Sequence, residues 1–123
     1  MKNSATILVI DDTPANLSLL NQLLRTHYRV KLANGGAKGL ELAASASPDL
    51  ILLDIMMPEM DGYEVCKRLK ADPATAGVPV IFLTAKAGAD DEEYGLAMGA
   101  VDFIRKPIAP LAAIDDQHLA PRS

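Results

Sequence analysis

The sequence has no tryptophan, and only three tyrosines and two phenylalanines among its 123 residues. A core must therefore be built from aliphatic side chains. These are plentiful, since half of the residues are hydrophobic. There is a single cysteine, Cys66. That excludes an internal disulfide and a cysteine-based zinc site, and Cys66 reads as a small apolar helix residue. No apolar run reaches the roughly 18 residues that a membrane span needs, so no membrane partner is expected. The start, Met1-Lys2-Asn3-Ser4, leads into a short apolar run that soon meets Asp11 and Asp12, which is not the pattern of a signal peptide. Basic excess is also missing: the net charge is −4, which argues against nucleic acid as a partner. A cytoplasmic location fits these features. The length suits one domain, with little room for a second.

What is present is an alternation of short apolar runs and helical patterns. Ile7-Leu8-Val9-Ile10 is an unbroken run that ends on Asp11 and Asp12, as a strand buried on both faces would. Thr13-Pro14 then opens a helix, with the proline in the first turn, where its missing N–H is harmless. Leu17, Leu20, Leu23 and Leu24 share one face of it. Residues 28–33 alternate like a strand nearer an edge. Asn34-Gly35-Gly36 turns into an Ala-rich helix that runs through Leu40 and Leu42 to about Ala46. Leu50-Ile51-Leu52-Leu53 is a third strand, ending on Asp54, and a helix over residues 63–70 buries Val65, Cys66 and Leu69. Residues 78–83 form a fourth strand, ending on Thr84. A weaker helix with an acidic opening spans residues 88–98. A fifth strand covers residues 101–104, followed by Arg105-Lys106-Pro107. Strand–helix alternation of this kind implies an α/β fold with a parallel sheet, right-handed crossovers and helices on both faces.

Ligands of open α/β sheets sit at the carboxyl ends of the strands. The residues there are Asp11 and Asp12, Asp54, Thr84 and, shortly after strand 5, Lys106. Singly, each has an ordinary reading. Asp11 or Asp12 would cap a helix, Asp54 would be a loop carboxylate, Thr84 a strand end and Lys106 a solvated base. Together they gather three carboxylates, a hydroxyl and an ammonium. Mutual repulsion and burial make such a group costly unless a cation offsets it. All-oxygen ligands select a hard ion such as Mg2+, which takes one or two carboxylates plus phosphate oxygens. The same site suits phosphoryl chemistry, with positive charge on the equatorial oxygens and a carboxylate attacking in line.

Leu8-Val9-Ile10-Asp11-Asp12, the run from Leu52-Leu53-Asp54 through Pro58-Glu59-Met60-Asp61-Gly62, Leu83-Thr84-Ala85 and Lys106-Pro107 resemble the response-regulator receiver domains of bacterial two-component systems. The resemblance spans residues 5–110, and the wording around Asp54 and Pro58 is similar to receivers fused to cyclic-dinucleotide output domains. It implies a doubly wound, five-stranded, flavodoxin-like sheet of order 2-1-3-4-5. It implies that Asp54 is the phosphoacceptor and that a histidine kinase is the phosphodonor. Asp11, Asp12, Asp54 and the Met56 backbone carbonyl would hold Mg2+. Lys106 would pair with the phosphoryl group, Thr84 would be the switch hydroxyl and Phe103 the switch aromatic. The chain would be a signalling domain that assists its own phosphorylation and dephosphorylation, not an enzyme acting on a separate substrate.

Three departures from the family pattern stand out. Met56, two residues past Asp54, and Lys86, two past Thr84, flank the path of a hydrolytic water. Met56 offers that water no useful hydrogen bond, so slow self-dephosphorylation is expected. The third lies after Pro107, where the family carries a full amphipathic helix. Here only Leu111, Ile114 and Leu119 could pack, and Pro121 stops any continuation. Residues 111–123 thus read as a short tail, either a truncation with a foreign ending or a natural short ending with a stubby helix, with the last helix short or missing and the output domain absent. Apolar surface left open near strand 5 would favour a homodimer. A phosphorylation-independent interaction module of the same fold is the alternative function. An aspartate-nucleophile phosphatase would need a second acid where Met56 stands, and flavin binding would need a phosphate-cradling loop after strand 1.

Overall fold

The computed structural model describes residues 5–84 and 102–105, the last five of these (Thr84 and residues 102–105) by their backbone. The elements run β1 Thr6–Ile10, α1 Pro14–Leu24, β2 Arg29–Ala33, α2 Gly36–Ala46, β3 Leu50–Asp54, α3 Gly62–Ala71, β4 Val80–Thr84 and β5 Asp102–Arg105. The five strands form one sheet of order β2-β1-β3-β4-β5, and all four pairings are parallel. This is the order that the resemblance implies. The expected helix over residues 88–98, the ending beyond Lys106 and any gap in the cover of strand 5 lie outside the described residues.

Period-two alternation divides the core between the two faces of the sheet. Leu8, Ile10, Ile51, Leu53, Val80 and Phe82 point to one face, where Val65, Cys66 and Leu69 of α3 and Ala43 of α2 meet them. Ile7, Val9, Leu50, Leu52, Ile81 and Leu83 point to the other, under Leu20 and Leu24 of α1. β3 is buried at every position, as the middle strand of a doubly covered sheet must be. Each fully buried Leu or Ile contributes about 2 kcal/mol by leaving water. Cys66 is one of these core residues, and burial pushes its thiol pKa up.

Two strand boundaries differ from expectation. Residue 28 is not in β2, because the Tyr28 amide donates to the Leu24 carbonyl at 2.9 Å and completes the exit turn of α1. β4 starts at Val80, not at 78. The Val78 amide is spent on the Thr75 carbonyl at 3.0 Å, and Pro79 has no N–H to give. Lys70 anchors this same turn through Nζ, which donates to the Ala76 and Val78 carbonyls at 3.1 and 2.7 Å.

α2 approaches β1 closely. A Cβ on Gly39 would overlap Ile10 Cδ1 and lie 2.8 Å from Cγ1, so the helix can rest there only because the side chain is a hydrogen. The start of α3 is fixed differently. Asp61 caps it, accepting the Glu64 amide at 2.9 Å, and Arg68 pairs with Glu64 one turn on.

Candidate functional site

The register of the sheet assembles the site. Ile10 pairs with Leu53, so the next residues, Asp11 and Asp54, emerge side by side at the carboxyl edge. Asp54 pairs with Leu83 on its other flank, and Thr84 follows. Thr84 pairs with Arg105, so Lys106 is the next residue after that pair, just outside the described residues. Phe103 lies on β5 beside Phe82.

Three of the expected residues converge at side-chain level. One carboxylate oxygen from each of Asp11, Asp12 and Asp54 lies within 4.8 Å of the others. Asp11 is 0% exposed and Asp54 3%, while Asp12 is half-buried. Three negative charges this close and this dry repel strongly. The donors are all hard oxygens at one edge, which fits a small divalent cation and not a soft metal.

Asp11 is held from two sides. Its Oδ1 accepts the Thr13 amide at 2.9 Å, and its Oδ2 accepts Nδ2 of Asn16 at 3.3 Å. Thr13 is the N-cap of α1 but makes no side-chain capping bond. The ordinary reading of Asp11 as a helix-start residue is therefore correct in part: it satisfies an amide at the mouth of α1 while its carboxylate joins the cluster.

The loop after Asp54 is tight. Ile55 donates its amide to the Leu83 carbonyl at 3.2 Å, and its own carbonyl accepts the Gly62 amide at 2.8 Å. Inside the loop, Glu59 has a φ of 70°, and the Met60 amide reaches back to the Pro58 carbonyl at 2.7 Å. A non-glycine residue at the centre of such a turn is strained. The Met56 side chain is 71% exposed, whereas Met57 and Met60 pack on the core. A cavity of about 480 Å³ opens between residues 34–38 and 58–60. None of the three aspartates lines it.

The sequence pattern gave no role to Asn16, and Gly62 stood only as the end of the motif after Asp54. The signals were there: an amide side chain just inside a proline-led helix, and an Asp-Gly pair at a helix start. Each gains meaning only from what the fold sets against it.

A family model described as the response regulator receiver domain matches residues 7–116. The chain is 47% identical to a "Probable cyclic di-GMP phosphodiesterase" of Vibrio cholerae over 107 residues, which are 87% of this chain and 24% of that protein. It spans about a quarter of the length of the first curated relatives it matches. Among solved structures it is similar to the chemotaxis protein CheY4 of Vibrio cholerae, with a TM-score of 0.87, 27% identity, and 93% of this chain and 96% of that one covered. It is also similar to the receiver domain of the sensor histidine kinase PA1611 from Pseudomonas aeruginosa, solved with magnesium coordinated in the active-site cleft. There the TM-score is 0.79 and the identity 33%, with 87% and 88% of the two chains covered.

Proposed function

The chain belongs to the response regulator receiver family of two-component signalling, and we propose that Asp54 is its phosphoacceptor, served by Mg2+ held among Asp11, Asp12 and Asp54. One observation carries this reading: the three carboxylates meet within 4.8 Å at the carboxyl edge of the sheet. The magnesium in the PA1611 receiver supports the choice of ion. When bound, the ion would offset the negative charge of the acids and of the phosphoryl oxygens.

The residues divide the work. A carboxylate oxygen of Asp54 attacks the phosphorus of a phosphohistidine on the donor kinase. The P–N bond breaks, the imidazole nitrogen leaves with the electron pair, and an aspartyl phosphate remains. Asp11 and Asp12 would hold the ion together with Asp54, and the Met56 backbone carbonyl would be a further ligand. Lys106 neutralises a phosphoryl oxygen, and the Thr84 hydroxyl donates a hydrogen bond to another. Phe103 turns with Thr84 and so changes the outer face near β5 for partners. The domain thus assists its own phosphorylation and dephosphorylation.

Residues 5–110 form the receiver unit and 111–123 a tail. The setting is the cytoplasm, where a histidine kinase meets it; none of the described helices is long and apolar enough to cross a membrane. The cyclic di-GMP relative supports an output domain acting on a cyclic dinucleotide. Nucleic acid is not a partner of the receiver in this reading, and it pairs as a homodimer through the region around β5.

The test is incubation with Mg2+ and a small acyl phosphate, followed by intact mass measurement. One phosphoryl adduct is expected, lost in Asp54→Ala. A folded, Mg2+-binding protein that takes no adduct would instead be a phosphorylation-independent interaction module.

A further inference from the structure

We propose that Asn16 is a positioning residue of the acidic cluster: its amide holds the Asp11 carboxylate in the orientation that serves the divalent cation and so sets the affinity for that ion. The inference rests on the reading of Asp11, Asp12 and Asp54 as a metal site.

Asp11 lies at the start of the loop between β1 and α1, with no exposed surface. A buried carboxylate whose rotamer is free would present its oxygens in several directions, and a cation would have to pay for ordering it. Here each oxygen has a donor: Thr13 N at 2.9 Å on Oδ1 and Asn16 Nδ2 at 3.3 Å on Oδ2. The assignment of the Asn16 amide follows from its partner, since an ionised carboxylate only accepts.

The donor is carried on a rigid element. Asn16 is in the first turn of α1, and Leu20, four residues on and therefore on the same face, is buried in the core. Packing of Leu20 and Leu24 against the sheet thus fixes where the Asn16 amide sits. Its neutrality matters as much as its reach. A lysine or arginine here would also hold Asp11, but its charge would oppose the incoming cation. An amide directs the carboxylate without adding positive charge to the cluster. Outer hydrogen bonds to ligating carboxylates are a general determinant of metal affinity.

A purely structural role for Asn16 and a positioning role separate through a variant that keeps the amide. The parent, Asn16→Ala and Asn16→Gln are titrated with Mn2+ by electron paramagnetic resonance and with Mg2+ by calorimetry, and their metal-free stability is measured by urea unfolding. In Asn16→Ala we expect affinity for both ions to fall about tenfold, and metal-free stability to fall as well, because the buried Asp11 Oδ2 loses its donor. Asn16→Gln, which keeps an amide, should recover part of the affinity. Parent-like affinity in Asn16→Ala overturns the inference. So does a loss of affinity in Asn16→Gln as large as that in Asn16→Ala. If the parent itself binds neither ion, the metal-site reading fails, and this inference falls with it.

Discussion

Gly62 lies flat against the backbone of Asp54: a Cβ at Gly62 would overlap the Asp54 carbonyl oxygen and sit 2.8 Å from Ile55 Cα. The obstacle is main chain, so no side-chain rotation relieves it. Glycine in a helix is ordinarily a cost relative to alanine, yet here the sign reverses. Gly62→Ala should destabilise the fold by about 1–3 kcal/mol, measured by urea unfolding, and should slow phosphorylation of Asp54. Gly77 has open space around its Cβ position, and Gly77→Ala should be neutral or stabilising by about 0.5 kcal/mol. Equal behaviour of the two variants would show that the contact is not tight.

The acidic cluster should be a liability without its ion. Asp54→Asn keeps the shape and removes one charge. Metal-free stability should rise by on the order of 1 kcal/mol as repulsion is relieved. The parent should melt higher in Mg2+ than in a chelator, and this gap should shrink in Asp54→Asn. A gap of the same size in the variant would place the stabilising ion elsewhere.

Met56 is exposed two residues past Asp54, the proposed phosphoacceptor, and its thioether would give a hydrolytic water no useful hydrogen bond. Met56→Asn would supply a donor and an acceptor. Loss of phosphate from Asp54, followed by intact mass over time, should quicken several-fold, as a hydrogen bond of about 1 kcal/mol would allow. An unchanged or longer lifetime would count against a role for this position.

Cys66 has no exposed surface, and burial raises its thiol pKa above the ordinary value. The folded state therefore holds this proton to higher pH than the unfolded state does. Its contribution to stability is intact below the unfolded value of about 8.5 and is lost as pH climbs from there through the folded value. Unfolding free energy should fall over that alkaline range more steeply in the parent than in Cys66→Ala. At neutral pH the folded thiol should resist alkylation and react once denaturant is added. Rapid labelling of the native protein would contradict the buried placement.

Much of this fold could be read from local pattern. Ile7 to Ile10 and Leu50 to Leu53 are unbroken apolar runs because both faces of their strands are covered, and that composition is visible before any folding. Pro14 marked the start of α1. The boundaries at residues 28 and 78 were less legible, since Tyr28 and Val78 suit a strand but their amides are taken by turns. The order of the strands came from the family resemblance and not from pattern. In the site, Asp11, Asp12 and Asp54 were legible because each stands just past an apolar run. Gly39 was not, because it is defined by Ile10 on another element, and the contacts of Gly62 with Asp54 and of Asn16 with Asp11 appear only once the intervening loops are folded. The side chains of Thr84 and Phe103, and all of Lys106, lie outside the described residues.

The pairing of Ile10 with Leu53 also bears on how this chain can change over generations. Slipping β1 by one residue against β3 would exchange its two apolar sets, Leu8 and Ile10 for Ile7 and Val9, between the faces of the sheet. Slipping it by two would restore the faces, and the core could refill. Asp11 would then stand about 6.6 Å out of place along the strand, more than the span that now holds the three acids together. Insertions in β1 that packing alone would forgive are thus forbidden by the chemistry at its end, and length changes should accumulate in the turns that enter the strands and not within them.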